Sequence, residues 1–338
     1  MNKSKAIAYA LMAAAFYAVN VPLSKIMLEE VEPVMMAAFL YLGAGAGVFL
    51  MSLCNKEKSE KLSKNDLPFV IGMILLDIAA PVLLMFGIAY GSSANASLLG
   101  NFEIVATTII ALFIFKEAVS KRLWAAIMLI TLSSVLLSFE GAESFKFSYG
   151  SVLVLLATLC WGFENNCTRK ISSKSTYEIV ILKGVFSGTG AFVIALLKGE
   201  AAPELTYIAA ALFLGFVSYG LSIFLYVRAQ NILGAAKTSA YYAVAPFIGA
   251  FLSAAILNEN LSQLYFAALI IMIMGSILVV ADTLIRRHAH FHRHSFTHTH
   301  DGAEHTHTVT HSHEHNHLWS DDNHNHSHKQ AELEFLAE

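Results

Sequence analysis

The sequence predicts an all-α integral membrane protein: ten transmembrane helices forming two inverted five-helix repeats, then a disordered His-rich C-terminal tail. Three observations carry this. Of 338 residues, 56% are hydrophobic and 14% charged, with mean hydropathy +0.57, whereas soluble domains carry about 25% charged residues. The apolar residues fall in runs of membrane-crossing length, about 20 residues. Stretches of the first half also align on stretches of the second.

The runs place spans at 6–27, 33–54, 68–90, 93–115, 121–140, 149–168, 175–197, 205–228, 233–257 and 261–285. The first begins behind Lys3 and Lys5, as a signal peptide would. It is too long for one, lacks a small-residue cleavage site and is followed by further spans, so it is read as a membrane helix. Short links suit a compact bundle. The repeats are assigned to 1–140 and 141–287, and the tail to 288–338, which is polar and is read as disordered.

Orientation follows from the basic residues of the short loops. One set of loops holds Lys3, Lys5, Lys56, Lys58, Lys61, Lys64, Lys116, Lys121, Arg122, Arg169, Lys170, Lys174, Arg228, Arg286 and Arg287. The other holds little basic beyond Lys146 and Lys198, and carries Glu29, Glu30, Glu32, Glu143, Glu200 and Glu204. The expectation is a multi-pass protein of a plasma membrane (a bacterial inner membrane) with both termini cytoplasmic. The net charge of −3 and its segregation give no basic surface for nucleic acid.

The repeat is direct to read. The stretch SLLGNFEIVATTIIALFIFKEAVSKRLWAAIM from Ser97 aligns without gaps on SAYYAVAPFIGAFLSAAILNENLSQLYFAALI from Ser239, pairing Glu117 with Glu259. FYAVNVPLSK from Phe16 aligns on CWGFENNCTRK from Cys160, pairing Asn20 with Glu164 and Lys25 with Arg169. An odd number of helices per half makes the second half cross in the opposite sense, the architecture of alternating access around a midplane site.

With these stretches in view, the chain resembles the drug/metabolite transporter superfamily in its EamA-type branch, over residues 6–285. APFIGAFLSAAILNENLSQ and WGFENNCTRKIS, with Trp161 and Gly162, carry the likeness best. The position matching Pro246 is Ile104 in the first half, a departure from the pattern. The resemblance implies a secondary active carrier, commonly an exporter of small organic solutes, driven by a proton or cation gradient or by exchange.

Ionisable groups at bilayer depth cost about 2.5–3.5 kcal/mol, so they face the interior and have partners. Four stand out: Asp77 and Glu103 near the middles of their spans, Glu164 and Lys183. Asn101 lies near Glu103, Thr107 stacks one turn beyond it, and Trp161, Glu164, Asn165 and Thr168 form a polar-aromatic stripe. Glu103 and Glu164 are candidates for a proton or cationic substrate, one from each half. Glu164 and Lys183 read equally as a structural ion pair, and Asp77 as a partner for backbone freed by Pro81. Asn20 and one of Tyr241 and Tyr242, with Tyr242 preferred, complete the candidate substrate-binding set. Glu117 and Glu259 read as structural helix-end residues, and Lys25 and Arg169 as snorkelling cations. Pro22, Pro81 and Pro246 interrupt helices, and Gly43/Gly47 and Gly184/Gly188 mark close packing.

No Walker loop, nucleophile motif or HExxH occurs, so nothing argues for an enzyme. Cys54, Cys160 and Cys167 form no CxxC pair and read as packing residues. All 15 histidines lie at or beyond His288. The comb of His288, His290, His292, His294, His298, His300, His305, His307, His311, His313, His315 and His317 is expected to bind divalent metal such as Zn, Ni or Co. No cofactor is required otherwise. Expected partners are the lipid bilayer, a small-molecule substrate, a coupling proton or cation and divalent metal ions, with a homodimer left open. Three functions follow: a carrier of an organic solute with the tail as metal regulator or buffer, a carrier of divalent metal or a metal chelate, and a non-transporting membrane metal sensor.

Overall fold

The computed structural model describes residues 3–54, 60–115, 120–139, 148–171, 174–233, 238, 241–300 and 303–318. It divides into two units, Met1–Val280 and Ala281–Glu338.

The first unit is built of helices: α1 (Lys3–Ala18), α2 (Asn20–Met27), α3 (Pro33–Leu53), α4 (Leu67–Tyr90), α5 (Ser93–Leu99), α6 (Phe102–Phe115) and α7 (Lys121–Leu137) in the first half of the chain, with α8 (Tyr149–Ile171) opening the second. There follow α9 (Thr176–Leu182), α10 (Gly188–Lys198), α11 (Leu205–Gly215), α12 (Ser222–Leu233), α13 (Ala245–Leu257) and α14 (Gln263–Leu284). The local chemistry of the ends is ordinary. Pro33 opens α3 behind an extended Glu32. The hydroxyls of Ser92, Ser120 and Ser175 accept from Asn95, Leu123 and Glu178 amides at the starts of α5, α7 and α9. Gly199, at φ 75°, closes α10 in the left-handed conformation that a side chain would strain.

Described helix overlaps the expected spans, with residue 140 and, in the ninth, 234–237 and 239–240 lying outside the described residues, and several spans are not continuous. The first breaks at Val19, where Pro22 has no N–H to offer the carbonyl of Ala18. The fourth breaks at Gly100–Asn101, where the amides of Gly100, Asn101, Glu103 and Ile104 bond three residues back. Two spans carry π-helical turns, Lys183–Ser187 between α9 and α10 and Phe216–Leu221 between α11 and α12. Among the described residues, six helical stretches are long and apolar enough to cross a membrane: Ser4–Met27, Pro33–Leu53, Lys64–Tyr90, Thr176–Lys198, Leu205–Ala229 and Gln263–Asp282. The apolar α13 is shorter.

Packing interleaves the two parts of the chain. The most extensive helix contacts join α4 to α8, α1 to α12, α6 to α8, α3 to α10 and α11, and α5 to α13. Glycine makes the closest of these possible. A Cβ on Gly184 would stand 2.2 Å from the amide nitrogen of Gly45, and one on Gly43 would stand 2.0 Å from the carbonyl oxygen of Leu212. The glycine spacings thus mark close backbone approach. Large apolar side chains face outward, among them Phe113, Leu197, Leu205 and Phe251. An apolar exterior suits lipid rather than water.

The second unit departs from the expectation of a disordered tail at residues 288–300 and 303–318. Ile285–His300 (β1) and Ala303–Leu318 (β2) pair as an antiparallel ribbon, with His288 opposite His315, His290 opposite His313, His292 opposite His311 and His298 opposite His305. Histidine at every second position, with Thr, Ser, Val and Phe between, is a period-two pattern, and that is the period of a strand. Residues 319–338, with His324, His326 and His328, lie outside the described residues, as do the side chains of the expected metal ligands.

Candidate functional site

Three elements deliver one buried charge cluster. Asp77 lies midway along α4, Glu164 in the second half of α8, and Lys183 at the first position of the π-helical turn after α9. The Lys183 ammonium stands 2.8 Å from Glu164 Oε1, to which it donates a hydrogen bond, and 3.2 Å from Asp77 Oδ2. All three side chains are at most 8% exposed. Tyr41, on α3, donates to Asp77 Oδ1 at 2.9 Å, and the Thr168 hydroxyl donates to Glu164 Oε1. Two carboxylates therefore share one ammonium, with a hydroxyl donor on each. This corrects the assignment of Asp77 to the backbone around Pro81: its partners are Tyr41 and Lys183.

The second carboxylate centre adjoins the first through α8. Asn165 donates through Nδ2 to Glu103 Oε1 at 2.6 Å and lies 3.4 Å from Thr107 Oγ1. Glu103 is not mid-helix, as hydropathy suggested, but in the first turn of α6, because the chain breaks at Gly100–Asn101. That is the end at which the helix dipole favours a negative charge. Asn101, within the break, is 1% exposed, and both side-chain polar atoms lack a hydrogen-bond partner among the described residues. Buried amides without partners are rare and mark places where a ligand or water binds.

An aromatic cluster adjoins both centres. Tyr41 packs at a tilt against Tyr219 of the second π-helical turn, with 5.0 Å between ring centroids. Tyr219 meets Tyr17 edge-on at 5.9 Å, and Tyr17 meets Tyr242 at 5.9 Å. Asn20 donates to the Tyr219 hydroxyl at 3.2 Å, while Ser24 donates to Asn20. Tyr242 lies 3.3 Å from the Ser222 hydroxyl. Tyr241 instead packs against Ala6, Ala10 and Ala229, away from this cluster. Trp161 is buried in the main core.

The structure thus brings Asp77, Glu164 and Lys183 together, Glu103 and Asn165 together, and Asn20 and Tyr242 onto one chain of tyrosines. Sequence reasoning missed Tyr17, Tyr41 and Tyr219. A tyrosine in an apolar helix carries no pattern that says which ones converge. Glu259, read as a structural helix-end residue, does accept three hydrogen bonds at the start of α5, while Lys25, read as a snorkelling cation, instead bonds three backbone carbonyls. Among the described residues, no group of three or more His, Cys, Asp or Glu is arranged to hold a metal ion.

A multi-pass helical bundle with paired charges buried between its two halves defines a class, the polytopic membrane proteins with a polar interior. The EamA-like transporter family matches the chain twice, over residues 4–139 and 148–281, and the chain belongs to that family. An uncharacterized transporter of Methanothermobacter thermautotrophicus is 28% identical over 284 residues, covering 78% of this chain and 82% of that protein. The uncharacterized transporter YyaM of Bacillus subtilis is 23% identical over 251 residues, covering 69% of this chain and 80% of its own length. A protein crystal structure shares the fold with a TM-score of 0.60 at 14% identity, over 83% of this chain and 98% of its own. The chain is a membrane transporter of a family of transporters rather than of enzymes.

Proposed function

We propose that this protein is a secondary active exporter of a small organic solute, working by alternating access between two inverted five-helix repeats of ten membrane helices. It lies in a plasma membrane with both termini cytoplasmic. The observation that carries the reading is the buried cluster shared by the two halves: Asp77 and Glu103 from the first, Glu164, Asn165 and Lys183 from the second. Charges kept at this depth, at a cost of about 2.5–3.5 kcal/mol each, point to a substrate or ion pathway. Glu103, held by one amide rather than a cation, is the group that takes the coupling proton or cation, and Asn101 offers an unpartnered amide to the solute.

The histidine ribbon takes up divalent metal as regulator or buffer. Its register supports this, because His–His partners recur along the ladder at 288/315, 290/313, 292/311 and 298/305. The membrane part contains no histidine, which favours an organic cargo over a metal ion.

The test is transport in proteoliposomes, comparing the full chain with a version ending at Arg287. Counterflow of an organic solute by both, with no flux of radioactive zinc or nickel by either, supports the reading. Saturable metal flux by both versions overturns it and makes metal the cargo.

A further inference from the structure

Lys25, near the end of α2, turns away from the surface. Its ammonium donates to the carbonyl oxygens of Ile88 at 2.7 Å, Ala89 at 3.2 Å and Gly91 at 3.1 Å. These are the acceptors left open where α4 ends. Glu259, in the link between α13 and α14, accepts from the Ser92 hydroxyl at 2.5 Å and from the amides of Ser93 at 2.7 Å and Ala94 at 3.0 Å. A cation from the first half and an anion from the second therefore grip the two sides of one turn, Gly91–Ser92, that joins α4 to α5. Each makes hydrogen bonds to an ionised group, roughly twice as strong as neutral ones.

The position of this turn gives the grip its meaning. The helices on either side lead to the candidate site: α4 carries Asp77, and α5 ends at the break that holds Asn101 and Glu103. Glu259 also ties this turn to the end of α13, the helix on which α5 packs. The repeat adds a second, independent observation. The two alignments pair Lys25 with Arg169 and Glu259 with Glu117, so a basic and an acidic residue recur at matching places. In the matching pair the basic residue, Arg169, comes from the second half and the acidic one, Glu117, from the first, the reverse of the pair that grips Gly91–Ser92.

We propose that Lys25 and Glu259 form a gate that holds the bundle closed at the membrane face where α4 ends, and that releasing them opens the site to that face. The inference rests on the transporter reading. Lys25 and Glu259 are positioning residues, acting on the site through α4, α5 and α13.

The experiment uses the full chain with its three cysteines replaced by alanine and a reporter cysteine at Thr107→Cys, beside Asn165. A membrane-impermeant maleimide is applied to right-side-out and to inverted vesicles, and the ratio of labelling from the two faces is read. Lys25→Met and Glu259→Gln are expected to raise labelling from the α4-end face by roughly tenfold relative to the other face. Ser92→Ala, which removes one of the bonds, is expected to shift the ratio the same way by less, and it serves if the charge variants fail to fold. An unchanged ratio in well-folded variants overturns the gate, leaving the two residues as helix caps. A parent that labels from neither face, whatever the variant, overturns the transporter reading and the gate with it.

Discussion

Removing the shared ammonium is the most direct probe of the buried cluster. Lys183→Met keeps the length and apolar body of the side chain and deletes its charge. Asp77 is then left with Tyr41 and Glu164 with Thr168, so two carboxylates at 0% and 3% exposure face one another without a counterion. Breaking a buried pair by deleting one partner costs about 3–5 kcal/mol, because the remaining charge is uncompensated. The triple variant Asp77→Asn, Glu164→Gln, Lys183→Met leaves no charge to strand, and recovers most of that loss although more residues differ. Unfolding in detergent micelles followed by tryptophan fluorescence reads both, with Trp161 one turn from Glu164 on α8. A single variant as stable as the parent, or a triple variant no better than the single, refutes the reasoning.

Other predictions follow from the same geometry. Glu103→Gln keeps an acceptor for Asn165 Nδ2, so the melting temperature stays within a few degrees while gradient-driven transport falls by roughly tenfold or more; unchanged gradient-driven transport would remove Glu103 from the coupling step. Gly184→Ala places a Cβ 2.2 Å from the Gly45 nitrogen, so folded yield on size-exclusion chromatography collapses. Truncation after Arg287 abolishes zinc uptake in calorimetry and leaves the melting temperature of the membrane unit where it was, since that unit ends at Val280. A fall in melting temperature on truncation would show that the tail supports the bundle.

How much was legible depended on range. Apolar runs gave the helices, and Gly43, Gly184 and Gly188 gave close packing, because both signals lie within a few residues of one segment. The Glu164–Lys183 pair was legible since adjacent helices each offered one buried charge. Asp77 was misplaced because a proline four residues away offered a local explanation, whereas its partners come from α3 and the π-helical turn. The break at Gly100–Asn101 was hidden inside a continuous apolar run, so Glu103 looked mid-helical when it begins α6. The tail was read as disordered because it is polar; the alternation of its histidines is also the period of a strand.

The interleaving of the two halves has a consequence for how the protein is made. The main partner of α4 is α8, and that of α1 is α12, each from the second half. At about 5–20 residues per second, translation from Tyr90 to Ile171 takes roughly 4–16 s. During that interval α4 sits in the bilayer with its glycines unpacked and Asp77 without its lysine. The nascent first half therefore waits with these surfaces open until α8 and α12 are made. A ribosome that stops before α8 leaves a natural target for membrane proteases.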